Sequence, residues 1–208
     1  MKFILFVEGS TEKQGAVKLI RRWLDKKLEP KRVGVRPINL KGAGNFAREI
    51  PRKAPLHLEG SDRHKVIAVI GLLDLHGANI VPGTSSNPED LCRQGKSKIE
   101  KAVNHDKFRM FFAVHDVEAW ILSQPEILPT PVAADLRGIA SPEKIDLETP
   151  PAKMLERLFL KHTKTSYRKV VDGEKLFDEL DPEVAYQKCP HLRLMLDEML
   201  ELAKRAGL

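Results

Sequence analysis

The chain has 208 residues, 42% apolar and 31% charged, a balance ordinary for a folded globular protein that can bury a real core. No apolar run approaches the length of a membrane span, and the acids Glu8 and Glu12 interrupt the start where a signal peptide would need an apolar stretch. Membrane association is therefore excluded, and a cytoplasmic protein is expected. The 35 Lys and Arg against 29 Asp and Glu leave a formal charge of +6, which points to a polyanionic partner such as nucleic acid, with solubility as the rival explanation.

In chain order, Phe3, Ile4, Leu5, Phe6 and Val7 form a short apolar run that leads into Glu8 and Gly9, the pattern of a buried strand ending in a turn. Thr11 and Gln14 have the spacing of a capping box, and Ala16, Val17, Ile20, Trp23, Leu24 and Leu28 follow as the apolar stripe of a helix. Residues 33–40 alternate as a second strand, with Pro37 marking an edge or a strand end. Gly42 and Gly44 read as a plain turn, since the full dinucleotide fingerprint is missing. Asn45 is the expected cap of a helix through Phe46, Ala47 and Ile50, which Pro51 and Pro55 complicate.

Residues 66–73 are apolar almost throughout, as a strand covered on both faces requires. They end on Asp74, Leu75, His76 and Gly77. A loop rich in Gly, Asn, Pro, Ser and Thr runs from there to Pro88, which opens a helix carrying Leu91, Ile99, Ala102 and Val103. Residues 108–114 form a fourth strand that ends on His115, Asp116, Val117 and Glu118, with a further helix through Trp120 and Leu122. Prolines recur from Gln124 to Pro151, and beyond them the patterns are helical, at residues 154–159 and 192–206. The alternation of strand and helix predicts an α/β fold with an open, mainly parallel four-stranded sheet over residues 1–124. Residues 125–208 then form a proline-rich link and a helical extension packed on it. Cys92 and Cys189 lack metal-ligand spacing and fit a reducing compartment.

In a parallel sheet the strand ends share one edge, where open α/β sheets take their ligands. Glu8, Asp74, Asp116 and Glu118 thus converge there, and converging carboxylates repel unless a cation sits among them. Hard oxygen ligands favour magnesium or manganese, and such an ion can polarise a phosphoryl oxygen and activate a water. Singly, each acid has a plain alternative as a helix-start charge or a cap. His76 is a candidate ligand or acid–base group, and Glu12 and His115 are candidate supporting groups. Arg93, Lys96, Lys98, Arg168 and Lys169 belong to basic clusters and are the candidate nucleic-acid contacts.

The strings Val7-Glu8-Gly9-Ser10-Thr11-Glu12 and Asp74-Leu75-His76-Gly77 resemble the Toprim domain, shared by topoisomerases, primases, recombination proteins and nucleases of the overcoming-lysogenization-defect type. The resemblance implies a magnesium-dependent phosphotransfer site, with Glu8 as acid–base group or ligand and Asp74 as ligand. A closer resemblance is to a bacterial Toprim-like family of unknown function found in defence-associated gene neighbourhoods. It is carried by these motifs, by His115-Asp116-Val117-Glu118-Ala119-Trp120, by Pro150-Pro151-Ala152-Lys153, and by the surroundings of Tyr167, Lys169 and Cys189-Pro190-His191. The wider Toprim pattern has Asp-x-Asp where this chain has Asp74-Leu75-His76, and Glu118 or Asp116 is the expected source of the missing oxygen. A metal-dependent nuclease acting in phage defence is the reading that follows, with Glu8, Asp74, Glu118 and His76 as its catalytic set. A non-catalytic module binding nucleic acid or an ATPase of the ABC or SMC-like kind is the alternative, and a phosphotransfer enzyme on small phosphates a third.

Overall fold

Apolar runs such as residues 3–7 and 66–73 have no solvated face, so they are stable only inside a sheet with helices on both sides. The structure, a computed structural model, describes residues 1–9, 12–76, 87–144 and 149–208, with the side chains of Glu12 and Lys13 outside that description. The expected cap at Thr11 and nearly all of the loop from Gly77 lie outside the described residues. Strands β1 (Lys2–Val7), β2 (Gly34–Asn39), β3 (Val66–Asp74) and β4 (Phe108–Ala113) make one sheet in the order β2-β1-β3-β4. Every neighbouring pair is parallel, and the fold class is α/β, as the alternation of elements predicts. The central strand β3 is buried along its whole length, whereas Pro37 sits on β2, an edge strand that has no ladder partner on its outer side.

Register sets where the strands end. Val7 lies opposite Leu72, and Asp74 lies opposite Ala113, so β3 runs two residues past the end of β1 and finishes level with β4. Two further bonds, Leu75 N–H to Ala113 O at 2.9 Å and His76 N–H to His115 O at 2.7 Å, zip the segments beyond β3 and β4 together. Gly71 in β3 lets a helix approach: a Cβ there would meet Met110 Sδ at 2.7 Å and Ile50 at 3.2 Å.

One face of the sheet is covered by α2 (Ala43–Leu58) and α3 (Pro88–Val103) through Phe46, Ile50, Ala54, Ile99 and Val103. Helix α2 begins at Ala43, so Asn45 lies inside its first turn and donates its amide to Lys41 O at 2.9 Å instead of capping. It continues through Pro51 and Pro55, because Phe46, Ile50, Ala54 and Leu58 recur every four residues and bury one face. The opposite sheet face is covered by α1 (Val17–Leu28), which follows a π-helical turn at Glu12–Ala16, and by helices from the second half of the chain. These are α4 (Glu118–Leu122), α5 (Thr130–Leu136), α6 (Pro151–Thr163), α7 (Val171–Glu179), α8 (Pro182–Lys188) and α9 (Pro190–Arg205). A single apolar cluster extends from Phe3 and Leu5 through Trp23 and Trp120 to Phe177, Met195 and Ala203. Arg22 of α1 donates to the carbonyls of Phe177 at 2.6 Å and Leu180 at 2.7 Å, fastening the end of α7. Among the described residues no helix is long and apolar enough to cross a membrane. Cys92 and Cys189 are free thiols, and burial pushes Cys92 up to about 12 and Cys189 well above the ordinary value, so neither is a ready nucleophile.

Glu143, only 5% exposed, accepts the amides of His191 at 2.7 Å and Leu192 at 3.3 Å and so supplies negative charge to the amino end of α9. Burial nevertheless pushes its carboxyl up from 4.5 to about 7. Between those values the folded chain binds the extra proton, so stability falls as pH rises across this window, by an amount on the order of 3 kcal/mol. Urea unfolding from pH 4.5 to 7.5 is expected to show that fall, and Glu143→Gln is expected to flatten it; an unchanged slope in the variant removes Glu143 as its source.

Candidate acidic site at the carboxyl edge of the sheet

Because β3 and β4 end level, the segment after β4 runs directly beside Asp74. The Val117 amide donates to Asp74 Oδ1 at 3.1 Å, and this bond fixes the carboxylate at the first turn of α4. Glu118, the first residue of that helix, is completely buried. The Lys169 ammonium lies between the two acids, 3.1 Å from Glu118 Oε2 and 3.4 Å from Asp74 Oδ2. Sequence reasoning assigns Lys169 to a basic cluster as a candidate nucleic-acid contact; the structure puts its side chain, 37% exposed, against the acids of the site. Asp116 is 4% exposed, and its Oδ2 accepts the amide of Ala152 at the start of α6, at 3.1 Å. Burial raises the Asp116 carboxyl above the ordinary range, opposed by Lys169, the Ala152 amide, His76 and His115. Its Oδ1 has no hydrogen-bond partner among the described residues.

Tyr167 completes the inner wall. Its phenol is 4% exposed, packs on Phe159 with ring centroids 5.4 Å apart, and is held strongly protonated by burial and by Glu118 and Asp116. The site therefore gathers Asp74, Asp116 and Glu118, with Lys169 as the nearest cation, His76 exposed at its mouth and His115 buried beside it. Glu8 stands half-buried at the same edge, directly after β1, with its carbonyl accepting the Gly42 amide at 2.9 Å. The side chain of Glu12 lies outside the described residues. Among the described residues no three His, Cys, Asp or Glu side chains form a group that could hold a metal. Asp74 and Glu118 nevertheless lie within reach of one cation, and two carboxylates completed by water and phosphate are the usual protein share of a magnesium site. The donor chemistry is that of such an ion, while the 3.1 and 3.4 Å spacings are those of an ammonium contact and would have to shorten to about 2.1 Å for magnesium.

At least three of the four remaining expected basic contacts are bound to acids of the chain. Arg93 pairs with Asp90 at 2.6 Å, and Lys96 reaches Glu100 at 3.8 Å while standing over the Phe111 ring. Arg168 pairs with Asp172 at 3.1 Å. Lys98 is exposed on the same helix as Arg93 and Lys96.

A parallel α/β sheet with an acidic carboxyl edge, closed by helices from the second half of the chain, defines the class of protein. The model described as domain of unknown function DUF4276 matches residues 7–200, and the chain belongs to that family. No curated protein matches it. Among solved structures, it is similar to the C-terminal region of the Burkholderia pseudomallei OLD protein, with 16% identity, 98% of each chain covered and a TM-score of 0.53. The C-terminal region of the Xanthomonas campestris pv. campestris OLD protein gives 13% identity, covers 99% of this chain and 95% of its own, and has a TM-score of 0.48. At such identities the first likeness is one of fold.

Lys169→Met takes the ammonium away from Asp74 and Glu118. Removing one partner of a fully buried pair costs about 3–5 kcal/mol; with Lys169 partly exposed, a loss of about 2–3 kcal/mol is expected at neutral pH. The deficit should shrink on acidification as the carboxylates take up protons. Urea unfolding of both proteins at neutral and acid pH checks this, and equal stability at neutral pH contradicts the bridging role.

Proposed function

We propose that this protein is a divalent-metal-dependent nuclease that hydrolyses phosphodiester bonds of DNA or RNA, with phage defence as its setting. The observation that carries the reading is the convergence of Asp74 and Glu118 on one cation at the carboxyl edge. The resemblance of the Glu8 and Asp74 motifs to the Toprim domain supports it, together with the fold likeness to the C-terminal region of an OLD protein. Asp74 and Glu118 would hold Mg2+ or Mn2+, with Glu8 and Asp116 beside them. When bound, the ion offsets charge on the phosphate and lowers the pKa of a water. In this reading His76, exposed at the mouth, accepts a proton from the attacking water. Asp116, its Oδ2 fixed by the Ala152 amide, backs these groups from behind, and solvent supplies the proton to the leaving oxygen. Lys169 turns from the carboxylates toward the phosphate.

A second reading, a non-catalytic module that binds nucleic acid or an ABC or SMC-like ATPase, is favoured by one observation. Lys169 already bridges the acid pair and offsets one of its two charges, the place that a metal would otherwise take. Plasmid DNA and structured RNA incubated with Mg2+ or Mn2+, against EDTA controls, separate the two. Cleavage by the wild type, lowered roughly a hundredfold or more in Asp74→Asn and in Glu8→Gln, each shown to be folded by circular dichroism at the assay temperature, is the expected result. Cleavage that persists in both variants overturns the assignment, and binding without cleavage in any of the proteins favours the second reading.

A further inference from the structure

Helix α6 starts at the acidic site, where the Ala152 amide binds Asp116, and its outer face leads away from it. Lys153 and Arg157 occupy that face one turn apart, about 6 Å along the axis, and both are exposed. Neither has a hydrogen bond or ion pair among the described residues, in contrast to Arg93, Lys96 and Arg168, which are bound to neighbouring carboxylates. The two cations border a cavity of about 630 Å3 whose remaining walls are Glu156, Leu160, Ser166 and Tyr167. Leu160 presents an apolar side chain, 56% exposed, next to them. Tyr167 is shared with the acidic site: its ring lines the cavity, and its hydroxyl faces Glu118.

We infer that this cavity seats the phosphodiester backbone of a polynucleotide strand, with Lys153 and Arg157 on successive phosphates and Leu160 against a base, leading the strand past Tyr167 to the acidic edge. The inference deepens the nuclease reading and rests on it. Two cations outweigh the single Glu156 in the lining, so the cavity carries net positive charge directly beside a site rich in carboxylates. That arrangement draws in a polyanion at one end and offers a cation site at the other. An apolar side chain beside unpaired cations suits a strand with accessible bases better than an isolated phosphate.

Binding is measured by fluorescence anisotropy with a labelled single-stranded oligodeoxynucleotide in EDTA, over a series of salt concentrations, so that cleavage plays no part. Each phosphate neutralised on a single strand contributes about −0.7 to the slope of log K against log salt. Lys153→Ala/Arg157→Ala is expected to make that slope shallower by about 1.4 and to weaken low-salt binding about tenfold. Arg93→Ala/Lys98→Ala is expected to leave the slope near that of the wild type. An unchanged slope in the α6 variant, a loss confined to the α3 variant, or displacement of the strand by equimolar AMP each overturns the inference. So does a wild type that binds no oligonucleotide. Binding with the predicted slope in a protein that never cleaves would keep the seat and remove the nuclease. Metal-dependent cleavage with binding indifferent to Lys153 and Arg157 would do the reverse.

Discussion

A fully buried carboxylate needs a counter-charge, donated hydrogen bonds or a proton, and in this fold the Lys169 ammonium between Glu118 and Asp74 supplies a counter-charge. Much of the architecture serves that meeting. Strand β3 overshoots β1 by two residues to bring Asp74 level with the end of β4. The Val117 amide then holds one Asp74 oxygen, leaving the other for the ammonium. The segment between α6 and α7 crosses the edge so that Tyr167 closes the wall and Lys169 reaches inward.

The second half of the chain is part of the same solid as the sheet. Phe3, Leu5 and Val7 share their apolar cluster with Phe177, Met195 and Met199, and the Arg22 guanidinium ties α1 to the end of α7. Glu143 ties a short turn to the amino end of α9. Three separate kinds of interaction therefore hold the helical part against the sheet: apolar burial, a guanidinium on helix-end carbonyls, and a carboxylate on helix-start amides.

The central strands β1 and β3 are legible in the sequence because burial on both faces demands apolar runs, while the edge strands β2 and β4 show through alternation and a run broken only by Arg109. The positions of Asp74 and Glu118 follow from the strand ends that those runs define. The role of Lys169 does not follow. It lies 95 residues beyond Asp74, and a lysine among Lys161, Lys164 and Arg168 looks like any other solvated cation. Lys153 and Arg157 are spaced four apart on a helix, a signal present in the sequence, yet only the structure shows that they border one cavity while Arg93, Lys96 and Arg168 are paired with carboxylates. Helices α7 and α8 are too short to show a clear stripe. Asn45 looks like a cap because it follows glycines, but the apolar face of α2 starts early enough to carry it into the first turn.

The order of synthesis gives the shared core a kinetic meaning. Asp74 and Glu118 are synthesised before Lys169, and the cover of the sheet face that α1 begins is completed only when α7 and α9 emerge. An elongating chain thus carries strand ends and acids but no assembled site, and a chain cut short by a premature stop would aggregate or be degraded rather than persist as a partly active fragment. Under the proposed nuclease reading, coupling completion of the core to completion of the acidic site would confine cleavage of DNA or RNA to finished molecules.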